Sequence, residues 1–283
     1  MRYTKEPIII GAVHLPYYGR NNPSQSIAEI EEYVMTNVKV HYDNGIDTVY
    51  IQDENLNLGP AMPETIALMA SLAKMVKMEM PDIRLGMIMQ SHDGEAPIAA
   101  ATTAGADFVR IKVFAGTMYK AEGIRTGVGE TAVQYRAMLN SPVKILADVH
   151  DREGIPMPGV PIDMAIDWAS HIGADGLILT GHSYQETLRY LKTAQEMELG
   201  KPVLVGGSVN EDNIYEILDH CEGAVVSSSL MLKETKPGSA APRLRFCYAA
   251  FAGSLSGSLS AAELPGLALT SLIQAFTLCS TMK

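Results

Sequence analysis

Cysteine is scarce in this 283-residue chain. The three that occur, Cys221, Cys247 and Cys279, stand far apart and form no CxxC pair, which excludes a zinc knuckle and gives no basis for a disulfide framework. A reducing, cytoplasmic setting is the expectation. Aromatic residues are also sparse, at 6%, and positive charge is in deficit, with 22 Lys and Arg against 32 Asp and Glu. That balance argues against a general affinity for nucleic acid or anionic membrane, and so for a small-molecule partner. No run approaches the roughly 18 consecutive apolar residues that a membrane-spanning helix needs. The opening MRYTKEPIII has neither the apolar core nor the cleavage pattern of a signal peptide, so no leader is expected. Also missing are a dinucleotide fingerprint, a nucleophile elbow and an HExxH metal motif.

What is present is alternation of strand and helix. Short apolar, β-branched runs begin at Pro7, Thr48, Arg84, Phe108, Val143, Gly176, Pro202 and Gly223, which makes eight candidate strands. Between several of them lie stretches such as IAEIEEYVMTNVKVHYDN, PETIALMASLAKMVKM, IDMAIDWASHI and YQETLRYLKTAQEM, apolar at every third or fourth position as helices require. Three joints repeat one phrase: NGIDTVYI, AGADFVRI and IGADGLIL each place a glycine at a helix end, then an aspartate, then a strand. Eight such units in about 250 residues predict an α/β fold with a single (β/α)8 TIM barrel over residues 1–252. A Gly/Ser-rich linker and peripheral apolar tail are expected over 253–283.

Loop lengths are one-sided. The strand-to-helix segments PYYGRNNPSQ, DENLNLGPAMP, AGTMYKAEGIRTGVGE and HDREGIPMPGVP are long and polar, and in a barrel they lie at the strand C-termini, where active sites are built. The stretch from Ala115 to Glu130 shows no helical or strand period; it is a candidate lid or a rigid surface loop. The seventh strand ends in Gly206, Gly207 and Ser208, and the eighth in Ser227 and Ser228, the positions at which such barrels cradle a phosphate.

Ionisable tips collect at the same ends. The fifth strand, ILADVHDREG, stops on Asp148 and His150, which strand alternation would aim to one side. With His14, Glu54, His92 and Lys112 they make a set for acid–base work. Lys112 is also suited to a Schiff base or to pairing with an acid or phosphate. His14, Glu54, Asp148 and His150 are the best candidate ligands for a divalent metal, as no other cofactor is indicated. Arg110 is expected in a buried ion pair, Lys144 at the opposite rim, and His182 at the mouth. His41, His171 and His220 carry no site argument.

The phrases GAVHLP, GADFVRIKVFAGTMYKAEGI, VKILADVHDREG, GADGLILTG and VLVGGSVNEDN together resemble the BtpA/SgcQ family over roughly residues 8–252. The resemblance implies a TIM barrel. It also implies two kinds of role, since the family name comes from a photosystem I biogenesis factor on the thylakoid membrane while other members occur beside sugar or nucleoside transport and metabolism. At the third strand His92 and Asp93 replace an Asn-Asp pair of the commoner pattern, which implies a subgroup with its own chemistry. The expected function is therefore an enzyme acting on a small phosphorylated sugar or nucleoside-type metabolite by isomerase, lyase or aldolase-like chemistry. A metal-dependent hydrolase and a non-catalytic assembly factor are the alternatives. Oligomeric state is not legible in the sequence, although barrels of this size often pair through outer helices, which leaves a homo-oligomer open.

Overall fold

The computed structural model describes residues 7–55, 59–210 and 212–227. Along them run β1 (Ile8–His14), α1 (Ile27–Asp43), β2 (Thr48–Gln52), α2 (Pro63–Glu79), β3 (Arg84–Ile88), α3 (Ala96–Ala104), β4 (Phe108–Ile111), β5 (Thr117–Lys120) and β6 (Gly123–Thr126). There follow α4 (Gly129–Met138), β7 (Lys144–Asp148), β8 (Ile155–Pro156), α5 (Ile162–Ile172), β9 (Gly176–Leu179), α6 (Tyr184–Glu196), β10 (Val203–Val205), α7 (Ile214–Leu218) and β11 (Gly223–Val226). The eight predicted strands close into one parallel barrel in the order β1-β11-β10-β9-β7-β4-β3-β2. Ser228 and the expected tail over 253–283 lie outside the described residues. No helix among those residues is long and apolar enough to cross a membrane.

Local chemistry sets the helix ends. Ser26 and Glu29 form a reciprocal capping box that starts α1, and Ser183 accepts from the Glu186 amide to start α6, each satisfying amides that the first turn leaves open. Gly45, Gly105 and Gly173 have φ of 89°, 78° and 119°, the left-handed backbone that ends a helix. The aspartates after them staple the barrel's N-terminal rim. Asp107 accepts from the Leu85 amide at 2.8 Å, Asp175 from the Ile145 amide at 2.9 Å, and Glu222 repeats the contact with the Val203 amide at 2.7 Å. Asp47 instead pairs with Arg84 at 2.6 Å. Lys144 joins Asp175 at the same rim, far from the mouth.

Alternation then sorts the core into two layers. Outward residues such as Val49, Leu85, Val109, Ile145, Leu177 and Val205 pack under the helices, while Ile10, Ala12, Tyr50, Ile88, Phe108, Ile178, Leu204 and Val225 plug the barrel. The stretch from Ala115 to Glu130 departs from its expectation. It forms the β5–β6 hairpin, and β5 pairs on its other side with β8. Met118, Lys120 and Arg125 face in and Tyr119 and Ile124 face out, so the two-residue period is present, with two cations on its inner face and apolar side chains on its outer one.

Candidate functional site

Above the apolar plug the inward positions turn polar. Arg110, on β4, donates from Nε to Asp148 Oδ1 at 3.0 Å and from Nη2 to Oδ2 at 3.1 Å, and its Nη1 reaches the Tyr50 hydroxyl at 3.2 Å. Burial pushes the Asp148 carboxyl up to about 6, with Arg110 opposing and Asp151 adding. Burial disfavours the Arg110 charge too, but Asp148 and Tyr50 outweigh it and hold the guanidinium ionised. Gly206 belongs to this floor. A Cβ there would lie 2.7 Å from Arg110 Nη2 and 2.6 Å from Thr180 Oγ1, and its amide already donates to Thr180 at 3.0 Å.

The ends of β11, β1 and β2, neighbours in the closed barrel, carry a second arrangement. Ser227 Oγ lies 3.1 Å from His14 Nε2, His14 Nδ1 lies 2.6 Å from Glu54 Oε1, and Gln52 Nε2 donates to the same Glu54 oxygen at 2.7 Å. An ionised carboxylate only accepts, so beside it Nδ1 is the donor, and in the neutral form of the ring Nε2 is the nitrogen left with a lone pair toward Ser227.

Across the mouth, Arg152 reaches from the β7 loop to the β10 loop and donates to Ser208 Oγ at 3.0 Å. Its guanidinium lies over Gly207, where a Cβ would meet Nη1 at 3.0 Å. Arg152 is exposed and pairs with no carboxylate among the described residues. Ser208 holds a left-handed φ of 62°. A third cluster lies beneath the hairpin: Lys112, Lys120, Arg110, Arg125, Gln90 and His92 line one cleft. Burial lowers the His92 pKa, and Arg125 adds to the effect.

The BtpA family profile matches residues 4–239. The chain belongs to the BtpA family. An uncharacterised protein of Pyrococcus abyssi is 30% identical over 230 residues, 78% of this chain and 86% of that one. The photosystem I biogenesis protein BtpA of Synechocystis is 32% identical over 149 residues, 52% of each chain. Among solved structures, one described as native KDPGal has a TM-score of 0.55 at 15% identity and covers 91% of this chain and 98% of its own. That likeness bears on the fold alone.

In this BtpA-family barrel the predicted residues fall into separate groups. His14 and Glu54 meet, with Ser227 joining them and not the phosphate set. Gly207 and Ser208 meet Arg152, whereas the Gly206 amide is committed to Thr180. Lys112 pairs with Glu153 at 3.1 Å. The expected convergence of Asp148 and His150 does not occur. Strand β7 ends at Asp148, so alternation no longer governs His150, whose ring packs edge-on against Tyr190 with centroids 5.9 Å apart. Burial lowers its pKa, with Glu186 opposing. The metal set of His14, Glu54, Asp148 and His150 is thereby divided, because Arg110 takes both Asp148 oxygens; among the described residues no three His, Cys, Asp or Glu side chains form a metal-holding group. His182 is exposed beside α6, its amide bonded to Glu186. Asp93 caps α3 and binds the Ala61 amide.

Proposed function

We propose that this protein is an enzyme that acts on a small phosphorylated sugar or nucleoside-type metabolite by proton-transfer chemistry of the isomerase, lyase or aldolase kind. The observation that carries this reading is the line Ser227–His14–Glu54 at the barrel mouth. Glu54 fixes the tautomer, so His14 Nε2 is a base at rest and an acid once it has taken a proton. Ser227 passes the proton to or from substrate, or yields its place to a substrate hydroxyl. The phosphate end is supported by Arg152, whose planar fork matches a phosphate and which has Ser208 and Gly207 beside it.

A thermal-shift panel of phosphorylated sugars and nucleotides against their dephosphorylated counterparts tests the binding half. The expected result is a shift that requires the phosphate, is lost in Arg152→Ala and is kept in His14→Gln. With the substrate so found, His14→Gln should lower kcat by about 10²–10⁴-fold and leave binding near wild type. Tight binding of dephosphorylated compounds only, or full activity in His14→Gln, would overturn the reading.

One observation favours a second reading, a partner-binding role. Ile124, Tyr119 and Ile155 are cross-strand partners in the β6-β5-β8 sheet and all three are exposed, an apolar row of the sort that marks contact surfaces. If that role is the biological one, Ile124→Glu removes cellular function in a folded protein while His14→Gln leaves it intact; the opposite pattern sustains the enzyme.

A further inference from the structure

Buried cations are costly at a barrel end, since each must be paired to offset its lost hydration. The cleft between the ends of β3 and β4 and the β5–β6 hairpin holds Lys112, Lys120, Arg110 and Arg125 together. Three of them have partners within the protein framework. Arg110 is tied to Asp148, Lys120 to the buried Asp151, and Arg125 to Glu122 at 3.3 Å. Lys112 is different. Its side chain is only 16% exposed and the buried Asp151 lies within its electrostatic reach, but the carboxylate in direct contact with it is Glu153, whose side chain is 56% exposed on the β7 loop. Glu153 also lies 3.7 Å from Lys120 Nζ, on a side chain 8% exposed. A surface carboxylate thus bridges two sequestered ammonium groups.

We propose that Glu153 occupies the seat of a substrate carboxylate, and that Lys112 and Lys120 form a second anion subsite. The substrate class is then a phosphorylated sugar acid, with its phosphate at Arg152 and Ser208 and its carboxylate in the hairpin cleft; this rests on the phosphate reading above. The exchange is like for like, one carboxylate leaving the lysines for solvent as another enters. Asp151 stays in place beside Lys120, and its carboxyl is held below the ordinary range because Lys112, Lys120 and the Glu153 amide outweigh its burial. The pKa of the neighbouring His92 is lowered by burial first, with Arg125 and, more weakly, Lys120 adding. Gln90 and Ser91 line the cleft as neutral donors for the remaining carboxylate lone pairs. The hairpin gives this end its specificity, because Lys120 comes from β5 and no strand of the barrel supplies it.

Matched probes test the subsite: 6-phosphogluconate against glucose 6-phosphate, and 3-phosphoglycerate against glycerol 3-phosphate, by calorimetry on the full chain. The acid of at least one pair should bind at least tenfold more tightly than its neutral partner. Glu153→Gln, at a side chain 56% exposed and with Asp151 still beside both lysines, should tighten the acid further and leave the neutral compound unchanged, with its melting temperature checked alongside. Lys112→Met should erase the preference while phosphate-dependent binding persists, and Arg152→Ala should do the reverse. If acid and neutral compounds bind equally through the phosphate, and Glu153→Gln changes nothing, the subsite is refuted and the phosphate reading stands. Failure of all four probes to bind overturns the sugar-acid assignment, and the nucleotide arm of the thermal-shift panel then decides the phosphate reading.

Discussion

Asp148→Ala is expected to destabilise the barrel by about 3–5 kcal/mol, the cost of leaving a buried guanidinium without its carboxylate. Arg110 cannot discharge to escape, and its other contact is the Tyr50 hydroxyl beneath it. Both charged side chains are shielded, 10% and 4% exposed, so water offers little replacement. The double variant Arg110→Met with Asp148→Leu should recover most of the loss, because apolar groups of similar size replace a buried pair at small cost or none. Urea unfolding of the wild type, both single variants and the double variant closes the cycle. A cost below about 1 kcal/mol for Asp148→Ala would mean that the pair is solvated and the floor is wet. Function separates from stability here, for the double variant should be stable and inactive. Under the proposed function the ion pair supplies polar edges to the floor of the mouth, beside the Tyr50 hydroxyl and Gly206, and an apolar floor cannot do that.

The barrel was legible because its signals are local. Each strand is a short apolar run, three joints repeat Gly-x-Asp, and helix spans such as residues 184–196 follow the apolar period of their sequence. The hairpin was not, because tertiary demand puts cations on its inner face: Lys120 and Arg125 are needed inward over the cleft, and Tyr119 and Ile124 are turned outward. Such an alternation looks like a polar loop until something is known to lie beneath it. The site was half legible for a related reason. Residue types and strand ends marked His14, Glu54, Lys112 and Asp148, but the partners are 40 positions apart for His14 and Glu54 and 213 for Ser227 and His14. Closure makes the last strand a neighbour of the first, so listing polar tips on adjacent strands would have joined Ser227, His14 and Glu54. Arg152 had no such signal, since its meeting with Ser208 depends on the path of an irregular loop. His150 failed for the opposite reason, a strand rule extended two residues past the strand.

A distinct acid-sensitive term should come from a residue with no part in the candidate site. His41, in the last turn of α1, is buried, and neither ring nitrogen has a hydrogen-bond partner. Its ring lies against Gly11 of β1, where a Cβ would come within 2.6 Å of Nδ1; the glycine exists to admit the imidazole. Burial lowers the His41 pKa from 6.5 to about 4. Between those values the unfolded chain binds a proton that the native state refuses, so stability is full above about pH 6.5 and is lost as the pH falls toward 4. At about 1.4 kcal/mol per pH unit the loss reaches about 3 kcal/mol. Asp53 works in the other direction. Burial raises it to about 6, so as the pH falls through 6 the native state takes its proton first and gains stability. The total profile is therefore a difference of opposed terms, and only a subtraction isolates the histidine. His41→Leu, close in volume and free of unpaired nitrogens, should match or exceed the wild type at pH 7.5, and its advantage should widen steadily in urea unfolding down to pH 5. A constant gap across that range would mean that His41 is protonated equally in both states, and that the barrel opens to water at the end of α1.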